Sequence, residues 1–451
     1  MSTRPRTQIF MASTLYGAAT LAAALDADCF APAERRLLLL SNNATTPETT
    51  ASLDTMPGFE RLRGRFDRVL SWNETIRPFH PGGWSPRSDD VPLWERHLRL
   101  LWGLGDDRVE LVVESIQVNP ALALAQLFPD APIDVYADGL MSYGPTRNKL
   151  DPLIGTRISR LLHLDLVPGL TPLLLTEFDV PSHTVPTDAF TKVLAELSDA
   201  SGALEVPDGA ALLLGQYLSA LGILTPEEEE ELHVRMVRGA VERGHREIVF
   251  KPHPSAPARW SRLLEREAEK LDIALTVLDS PVLAEVLYQR MRPALVVGCF
   301  STALLTAATF YGLPTARTGT GLLLERLTPY QNSNRMPVTI VDALVPDLGD
   351  RSERPRAHVT AENIEGLVTA VGYAMQHQIY PQLRPSAERY LAAHLDTFTR
   401  RYFKRRRLTA LALPGAIPSQ LSFIPRNATV RRVARRARAV QRRLKKRAAF
   451  G

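Results

Sequence analysis

Short apolar runs alternate with helical patterns along this 451-residue chain, and this alternation restricts its fold more than any other feature. The strands predicted in the first half are 7–13, 35–41, 67–71, 108–114 and 132–137. Helical patterns such as 92–103 and 119–128 lie between them. The region 140–190 contains scattered prolines, and we interpret it as loops and short helices. Strands that alternate with helices are typical of βαβ units and a parallel sheet.

A second alternation begins near residue 210. Its first helix is predicted to follow Thr225 as N-cap, with Pro226 at the first helical position. The later elements are predicted as strand 246–251, helix 256–271, strand 273–278, helix 281–291, strand 294–299 and helix 301–311, with a further helix around 386–400. The sequence contains no strong dinucleotide-binding fingerprint. We therefore predict an α/β fold of the GT-B type, with two Rossmann-like domains that face a cleft.

The chain length favours two domains with an appendage. The predicted units are an N-terminal Rossmann-like acceptor domain (1–200), a Rossmann-like nucleotide-sugar domain (201–375), a helix that packs back on the first domain (376–400) and a basic helical tail (401–451).

The net charge of +5 hides a division of charge between the two ends of the chain. From residue 397 onward there is no Asp or Glu and there are 17 Lys and Arg residues, whereas residues 1–396 carry a net charge of −12. Within the tail, one helical face would carry Val430, Val433, Ala437, Val440 and Leu444. A narrow apolar stripe in a basic helix predicts binding to an anionic membrane surface through residues 430–447. Nucleic acid is the alternative partner, but the tail lacks interleaved aromatic residues that would stack on bases, so no specific nucleic acid is expected.

The two cysteines, Cys29 and Cys299, favour a reducing cytoplasm and exclude a disulfide framework. Neither has a partner at metal-ligand spacing, so no bound metal is expected. Residues 1–27 resemble a signal peptide in composition, but polar residues interrupt the apolar stretch, and it also fits a strand followed by a helix. We predict a cytoplasmic protein that associates peripherally with the inner face of the plasma membrane.

Three predicted strands end in residues that suit ligand binding. These residues are Asp138 and Gly139 after strand 132–137, Lys251, His253 and Pro254 in the "KPHP" that ends strand 246–251, and Ser301 and Thr302 after strand 294–299. Ligands of open α/β sheets gather beyond the carboxyl ends of the strands. The prolines on both sides present His253 on a stiff, extended segment. A helix that opens with Ser301 and Thr302 favours phosphate at its N-terminus.

These residue types support the transfer of a sugar from a nucleotide monophosphate. Asp138 would take the proton from an acceptor hydroxyl. Protonated His253 would stabilise the departing phosphate, helped by the charge of Lys251. The other predicted donor-binding residues are Ser301, Thr302, Gln216, Gly139 and Pro254. Each also has a plain structural explanation, because Asp-Gly is a common turn and Ser-Thr a common helix cap.

The set "ADG…Y", "KPHP" and "FST" resembles the bacterial sialyltransferases, and most closely the alpha-2,8-polysialyltransferase family and the related lipooligosaccharide sialyltransferases, over roughly residues 5–320. This resemblance implies a GT-B fold and metal-independent, inverting transfer of a nonulosonic acid from a CMP-activated donor to a cell-surface glycan, with no further cofactor. It also implies Asp138 as the base and His253 as the phosphate-directed acid. Ala137 stands where the family usually has another carboxylate, so the resemblance alone does not decide which acid is the base.

Two alternatives stay open at this point. A CDP-glycerol-dependent, teichoic-acid-type glycerophosphotransferase would also place a His-Pro motif and a serine motif around its donor, although the carboxylate of Asp138 favours the sugar transferase. A non-catalytic membrane or nucleic-acid binding protein would act through the basic tail alone. The enzymatic interpretation requires Asp138 and His253 to border one cavity.

Overall fold

The computed structural model describes residues 4–253, 259–350 and 361–416, and its first part contains a seven-stranded sheet. The strands are β1 (Arg6–Ala12), β2 (Arg35–Leu40), β3 (Arg68–Ser71), β4 (Arg108–Glu114), β5 (Ile133–Ala137), β6 (Ile158–Leu164) and β7 (Ser182–Val185). All neighbours are parallel, in the order β3-β2-β1-β4-β5-β6-β7. The first five strands confirm the predicted ones.

Strands β6 and β7 correct the interpretation of residues 140–190 as loops and short helices. The run "LLHL" of β6 is buried on both faces, as in the central strands of a parallel sheet. Strand β7 is a four-residue edge strand in which only Val185 is buried. A strand this short, followed directly by Pro186, lacks the apolar alternation from which a strand is predicted.

Helices cover both faces of the first sheet. They are α1 (Leu15–Asp26), α2 (Phe59–Arg63), α3 (Trp72–Thr75), α4 (Val91–Leu101), α5 (Ala121–Leu127), α6 (Pro152–Gly155) and α7 (Thr187–Ala200). Because side chains alternate along a strand, Phe10 and Ala12 of β1 join the buried cluster on the α1 and α7 side. Ile9 and Met11 join the cluster on the α4 and α5 side.

The second part of the chain contains a five-stranded parallel sheet in the order β10-β9-β8-β11-β12. Its strands are β8 (Ala211–Leu214), β9 (Glu247–Lys251), β10 (Ala274–Val277), β11 (Leu295–Gly298) and β12 (Thr315–Arg317). Its helices are α8 (Pro226–Glu242), α9 (Arg259–Leu271), α10 (Ala284–Met291), α11 (Thr302–Tyr311), α12 (Thr320–Arg326) and α13 (Arg335–Leu344). Thr225 caps α8 in a capping box with Glu228, which confirms the predicted helix start.

The last described helices are α14 (Ala361–Gln376), α15 (Arg384–His394) and α16 (Arg405–Ala410). The Tyr380 hydroxyl, between α14 and α15, donates to Thr146 Oγ1 at 2.8 Å and so ties this segment to the first part of the chain. The Arg401 guanidinium pairs with the buried Asp342 carboxylate at 2.9 Å. The proposed domain limits stay predictions, and residues 417–451, with the predicted membrane segment, lie outside the described residues.

The two sheets pack into one body through the helices that flank them. The hydroxyls of Tyr16 and Thr306 lie 3.2 Å apart, and Thr309 Oγ1 donates to the Leu166 carbonyl at 3.0 Å. One buried apolar cluster continues from Phe10 of the first sheet to Leu213 of the second. Two parallel α/β units that face each other across a cleft form the GT-B architecture, as predicted. None of the helices in the described part of the chain is long and apolar enough to cross a bilayer.

Candidate active site

A cleft of about 470 Å³ lies between the two sheets, beyond the carboxyl ends of their strands. Ser13 and Thr14 line it from the loop between β1 and α1. Lys251, His253 and Ser301 line it from the second sheet. The ends of β9 and β11 therefore bring three of the predicted residues to one cavity, as expected for ligand sites of open α/β sheets.

Asp138 lies at the end of β5, directly behind the Thr14 wall of this cleft. The Asp138 Oδ2, Thr14 Oγ1 and Tyr136 hydroxyl oxygens are 3.2, 3.1 and 3.0 Å from the position that a Cβ on Gly17 would occupy. Three polar oxygens thus converge on one niche that is open because residue 17 has no side chain. Thr14 lines the cleft that contains His253, whereas Asp138 is not itself a lining residue, so the two predicted residues adjoin one cavity only through Thr14.

Gly139 and Thr302 form the contact between the Asp138 segment and the second sheet. Thr302 Oγ1 lies 3.2 Å from the position of a Cβ on Gly139, and it accepts a hydrogen bond of 3.4 Å from the Leu140 backbone N–H. Thr302 begins α11, and its neighbour Ser301 lines the cleft. The predicted carboxylate and the predicted phosphate-binding helix end therefore lie next to each other.

The pKa of the Asp138 carboxyl group is raised, so its ionised form can accept a proton near neutral pH. Burial, reinforced by the Glu114 carboxylate and more weakly by Glu285, raises the pKa of Asp138 to about 7. A pKa close to the working pH suits a general base.

Glu114 is a candidate functional residue that the sequence analysis missed. It ends β4 in register with Tyr136 of β5, and registered partners of parallel strands point to the same face. Asp138 follows Tyr136 by two residues and so shares that face, whereas Ala137 is buried in the apolar cluster of the opposite face. Ser13 Oγ donates to Glu114 Oε2 at 2.5 Å. A second acid thus reaches Asp138 from the neighbouring strand, although position 137 is apolar.

The backbone after Glu114 supports the same interpretation. Ser115 and Ile116 both have positive φ angles, of 53° and 49°. A β-branched residue in the left-handed region is unusual, and such strain concentrates at functional sites. The glutamate at the end of the run "RVELVVE" was the available sequence signal, but only the register of β4 and β5 reveals its neighbour.

His253 follows β9 and remains accessible to solvent. Its ring lies 6.3 Å from the ring of Tyr217, which in turn packs edge-on against Trp260 at 5.5 Å. Partial desolvation and the nearby Lys251 ammonium lower the pKa of His253. The neutral imidazole is therefore favoured, and a phosphate bound beside it would favour its protonation. Pro254, also predicted to bind the donor, lies outside the described residues.

Lys251 is buried and bound to the loop after β10. Its Nζ donates to the Ser280 carbonyl at 2.9 Å. Burial lowers the pKa of Lys251 to about 8, although the negative charges of Glu285 and Asp279 act to raise it. Burial likewise raises the pKa of Glu285, in the first turn of α10, to about 7, while Lys251 lowers it. Glu285, which no sequence pattern indicated, balances this buried charge.

Ser301 and Gln216 hold the loop that carries the N-terminus of α11. Ser301 Oγ caps the helix by accepting from the Ala303 backbone N–H at 3.3 Å. The Gln216 side-chain oxygen accepts from the Phe300 backbone N–H at 2.9 Å, so this oxygen joins the end of β8 to that loop. Both side chains shape the helix end, and their contact with a donor stays a prediction.

Gly17→Ala is expected to lower turnover severalfold, because the methyl group would lie 3.0–3.2 Å from three polar oxygens and would displace the Asp138 carboxylate by a few tenths of an ångström. Alanine favours a helix over glycine by about 1 kcal/mol, which offsets part of the cost of this crowding, so the melting temperature is expected to change little. Gly321→Ala is the matched control, because a Cβ on Gly321 of α12 meets nothing within 4 Å. Steady-state kinetics and thermal unfolding measure both effects; unchanged turnover in Gly17→Ala would contradict the niche.

Comparison with known proteins identifies the family of this chain. The family model described as alpha-2,8-polysialyltransferase (POLYST) matches residues 8–320. No curated protein matches the chain at a significant level.

Several solved structures are similar to this chain at low sequence identity. The GT-B domain of a sialyltransferase from Photobacterium damselae is 12% identical, with a TM-score of 0.40, over 74% of this chain and 96% of that one. Phytolacca americana UGT2, complexed with UDP-2-fluoro-glucose and pterostilbene, is 14% identical, with a TM-score of 0.41, over 90% of this chain and 99% of that one. The UDP-GlcNAc 2-epimerase from Methanocaldococcus jannaschii is 12% identical, with a TM-score of 0.40, over 82% of this chain and 99% of that one.

The family assignment depends on the sequence match, which extends over more than half of the chain and includes β1 to β12 as far as the start of α12. The matched region contains every residue of the candidate site. A match to a glycosyltransferase family over this region excludes the alternative of a protein that acts only through its basic tail. The chain belongs to the alpha-2,8-polysialyltransferase family and is a glycosyltransferase.

Proposed function

We propose that this glycosyltransferase transfers a sialic acid, or a related nonulosonic acid, from a CMP-activated donor to a glycan hydroxyl, with inversion at the anomeric carbon and without a metal ion. One observation carries the proposal. The interdomain cleft has a partly buried carboxylate behind its first-domain wall and an imidazole with a hydroxyl-capped helix N-terminus on its second-domain wall.

The reaction is a single displacement. The acceptor oxygen forms a bond to the anomeric carbon while the bond from that carbon to the phosphate oxygen breaks, and CMP leaves with the bonding electrons. Asp138 takes the proton that the acceptor oxygen loses. Because the acceptor attacks from the face opposite to CMP, the configuration inverts.

Charge develops on the departing phosphate, so its stabilisation is the main task of the second domain. His253 donates a hydrogen bond or a proton to the phosphate oxygen, and the backbone N–H groups at Ser301 and Thr302 supply further donors at the start of a ten-residue helix. The buried Lys251 adds positive charge behind them. These groups together can do what a metal ion does for other nucleotide-sugar donors.

Glu114→Gln is expected to move the acidic limb of the kcat/KM profile to lower pH. The base must be ionised, so activity rises with pH around the pKa of Asp138, about 7. Removing the neighbouring negative charge lowers that pKa. Glu110→Gln, on the same strand but in an ion pair with Arg6 at 3.1 Å, is the matched control. A pH profile measured with saturating acceptor checks this, and an acidic limb that does not move would remove Glu114 from the site.

Donor specificity tests the proposed function directly. CMP release should be measured with CMP-N-acetylneuraminic acid, with other CMP-nonulosonates and with CDP-glycerol. Release from at least one CMP-nonulosonate, abolished by Asp138→Asn, is the expected result. Activity with CDP-glycerol and none with any CMP-nonulosonate would instead establish the glycerophosphotransferase alternative.

The basic C-terminal residues support a second part of the proposal, that the enzyme works at an anionic membrane surface. Removing residues 417–451 is expected to weaken sedimentation with vesicles that contain anionic lipid, and to leave CMP release in solution unchanged. Surface electrostatic binding is screened by salt, so full-length binding should also fall as salt rises above about 0.15 M. Equal binding of the full and shortened chains to these vesicles would contradict a membrane role for this segment.

A further inference from the structure

A second hollow, of about 840 Å³, opens beside the reaction cleft in the first domain. It lies beyond the carboxyl ends of β2 and β3. We call it the side groove, and its boundary with the cleft consists of Ser41, Asn42, Thr50 and Leu53, which line both cavities. A ligand in the side groove can therefore extend a hydroxyl to the cleft, and the volume suits several sugar rings.

The floor of the side groove is already fixed by reciprocal hydrogen bonds. The Asn42 backbone N–H donates to the Asn73 side-chain oxygen at 2.8 Å, and Asn73 Nδ2 donates to the Asn42 carbonyl at 2.9 Å. Asn42 Nδ2 also donates to the Pro47 carbonyl at 3.2 Å. These bonds connect the loops after β2 and β3, so the groove is formed before any ligand binds.

His80 lines the side groove and contacts the backbone through both ring nitrogens. Its Nδ1 accepts from the Gly82 backbone N–H at 3.1 Å, and its Nε2 faces the Ala44 carbonyl at 2.8 Å. These contacts fix the imidazole ring against the loop after β2.

The charges of the side groove are mainly negative. Its lining contains the carboxylates of Glu48, Asp54 and Glu74 against the single guanidinium of Arg77. Arg77 NH1 lies 3.5 Å from Glu74 Oε2, which neutralises part of that one positive charge. Each sialic acid residue of a polysialic acid acceptor carries a carboxylate. Like charges repel, so such an acceptor would be disfavoured in a groove with three carboxylates and one guanidinium.

An aromatic ring at the rim of the side groove suits a sugar. Phe79 is 52% exposed and stacks on Trp84, with ring centroids 6.2 Å apart and planes inclined by 23°. This exposed ring belongs to the lining of a cavity, where it offers an apolar platform to a ligand. The apolar C–H face of a pyranose ring can pack on such a platform, while Ser and Thr hydroxyls of the groove bind its hydroxyl groups.

From these observations we infer that the side groove binds an uncharged glycan acceptor, and that the enzyme adds one nonulosonic acid residue instead of extending a polyanionic chain. The inference rests on the proposed function and specifies its acceptor. After one transfer the acceptor end carries a carboxylate, and the side groove disfavours that product as the next acceptor. A member of a polysialyltransferase family would then be a single-addition enzyme.

The test compares two sets of fluorescent primers as acceptors for the full-length enzyme. The donor is CMP-N-acetylneuraminic acid or the CMP-nonulosonate that the donor screen identifies. One set contains neutral oligosaccharides of two to four hexoses, and the other contains the same oligosaccharides ending in two sialic acid residues. The expected result is at least tenfold higher kcat/KM for a neutral primer, with chromatography showing one added residue. Equal use, preference for the sialylated primer, long products, or use of neither set would overturn the inference.

Charge reversal tests whether the side groove causes the selectivity. Glu74→Lys with Asp54→Lys is expected to raise kcat/KM for the sialylated primer by about tenfold relative to the neutral one, as charge complementarity predicts. Glu60→Lys is the matched control, because Glu60 of α2 is exposed and lies outside the groove. An identical shift in the control and the groove variant would show a general charge effect and contradict the role of the groove.

CMP binding and hydrolysis of the CMP-sugar distinguish failure of the acceptor inference from failure of the proposed function. Enzyme that binds CMP and hydrolyses the CMP-sugar, but prefers sialylated primers, would refute the inference and leave the proposed function intact. Enzyme that neither binds CMP nor hydrolyses any CMP-nonulosonate would refute the proposed function itself.

Discussion

Asp138→Asn is expected to lower kcat by about 10²–10⁴-fold, the range typical of general base catalysis. Asparagine has nearly the same shape and keeps an oxygen in the niche beside Gly17, but it cannot take the acceptor proton. The loss should therefore appear in kcat with donor affinity retained. CMP release under saturating donor and acceptor measures it, and Asp208→Asn is the matched control, because Asp208 also precedes a glycine but pairs with Arg292 away from the cleft.

The same substitution should not destabilise the protein at alkaline pH. The pKa of Asp138 is raised on folding, so the folded state binds this proton more tightly than the unfolded chain does. The contribution of the carboxyl to stability therefore falls as pH rises from its ordinary value of 3.8 to about 7. Above that pH, a neutral amide avoids the cost of a buried charge. A melting temperature of Asp138→Asn well below wild type at pH 8 would contradict this environment.

His253→Ala is expected to lower kcat by about 10²–10³-fold and to weaken CMP binding, because the departing phosphate loses its main donor. If His253 acts in its protonated form, activity in wild type falls at alkaline pH, and this limb of the profile should disappear in the variant. His183→Ala, on the exposed edge strand β7, is the matched control. Titration of CMP and stopped-time CMP release measure both effects.

Retention of wild-type turnover in His253→Ala, with folding intact, would remove the imidazole from the mechanism. Loss of CMP affinity with unchanged kcat would assign His253 to uniform binding of the donor, since an interaction made equally in the ground state and the transition state changes KM and not kcat.

Much of the fold was predictable because buried parallel strands leave continuous apolar runs. The runs at β1, β2, β4 and β5 lie in the core and carry this signal clearly. Strand β7 was missed because it is short, polar and at an edge. Strand β12 contains only three residues, with one hydrogen-bonded neighbour in the sheet order, and no sequence pattern distinguishes it from a loop.

The site was predictable only in part. Asp138, His253 and Ser301 follow predicted strands, and the rule that ligands gather at strand ends brings them together. Glu114 and Glu285 were not predictable in the same way, because their relation to Asp138 depends on strand register and on how the two domains pack. The niche beside Gly17 has the same origin, since its oxygens come from two separate segments, the loop between β1 and α1 and the end of β5.

A double variant tests the central claim most directly, namely that a first-domain carboxylate and a second-domain imidazole act on one donor in one step. CMP release should be compared among Asp138→Asn, His253→Ala and the combination, under saturating donor and acceptor. Residues that act as a unit are strongly non-additive. We predict that the double variant is about as slow as the slower single variant. A loss in the double variant equal to the product of the two single losses would show that the residues act independently, and it would contradict the shared site.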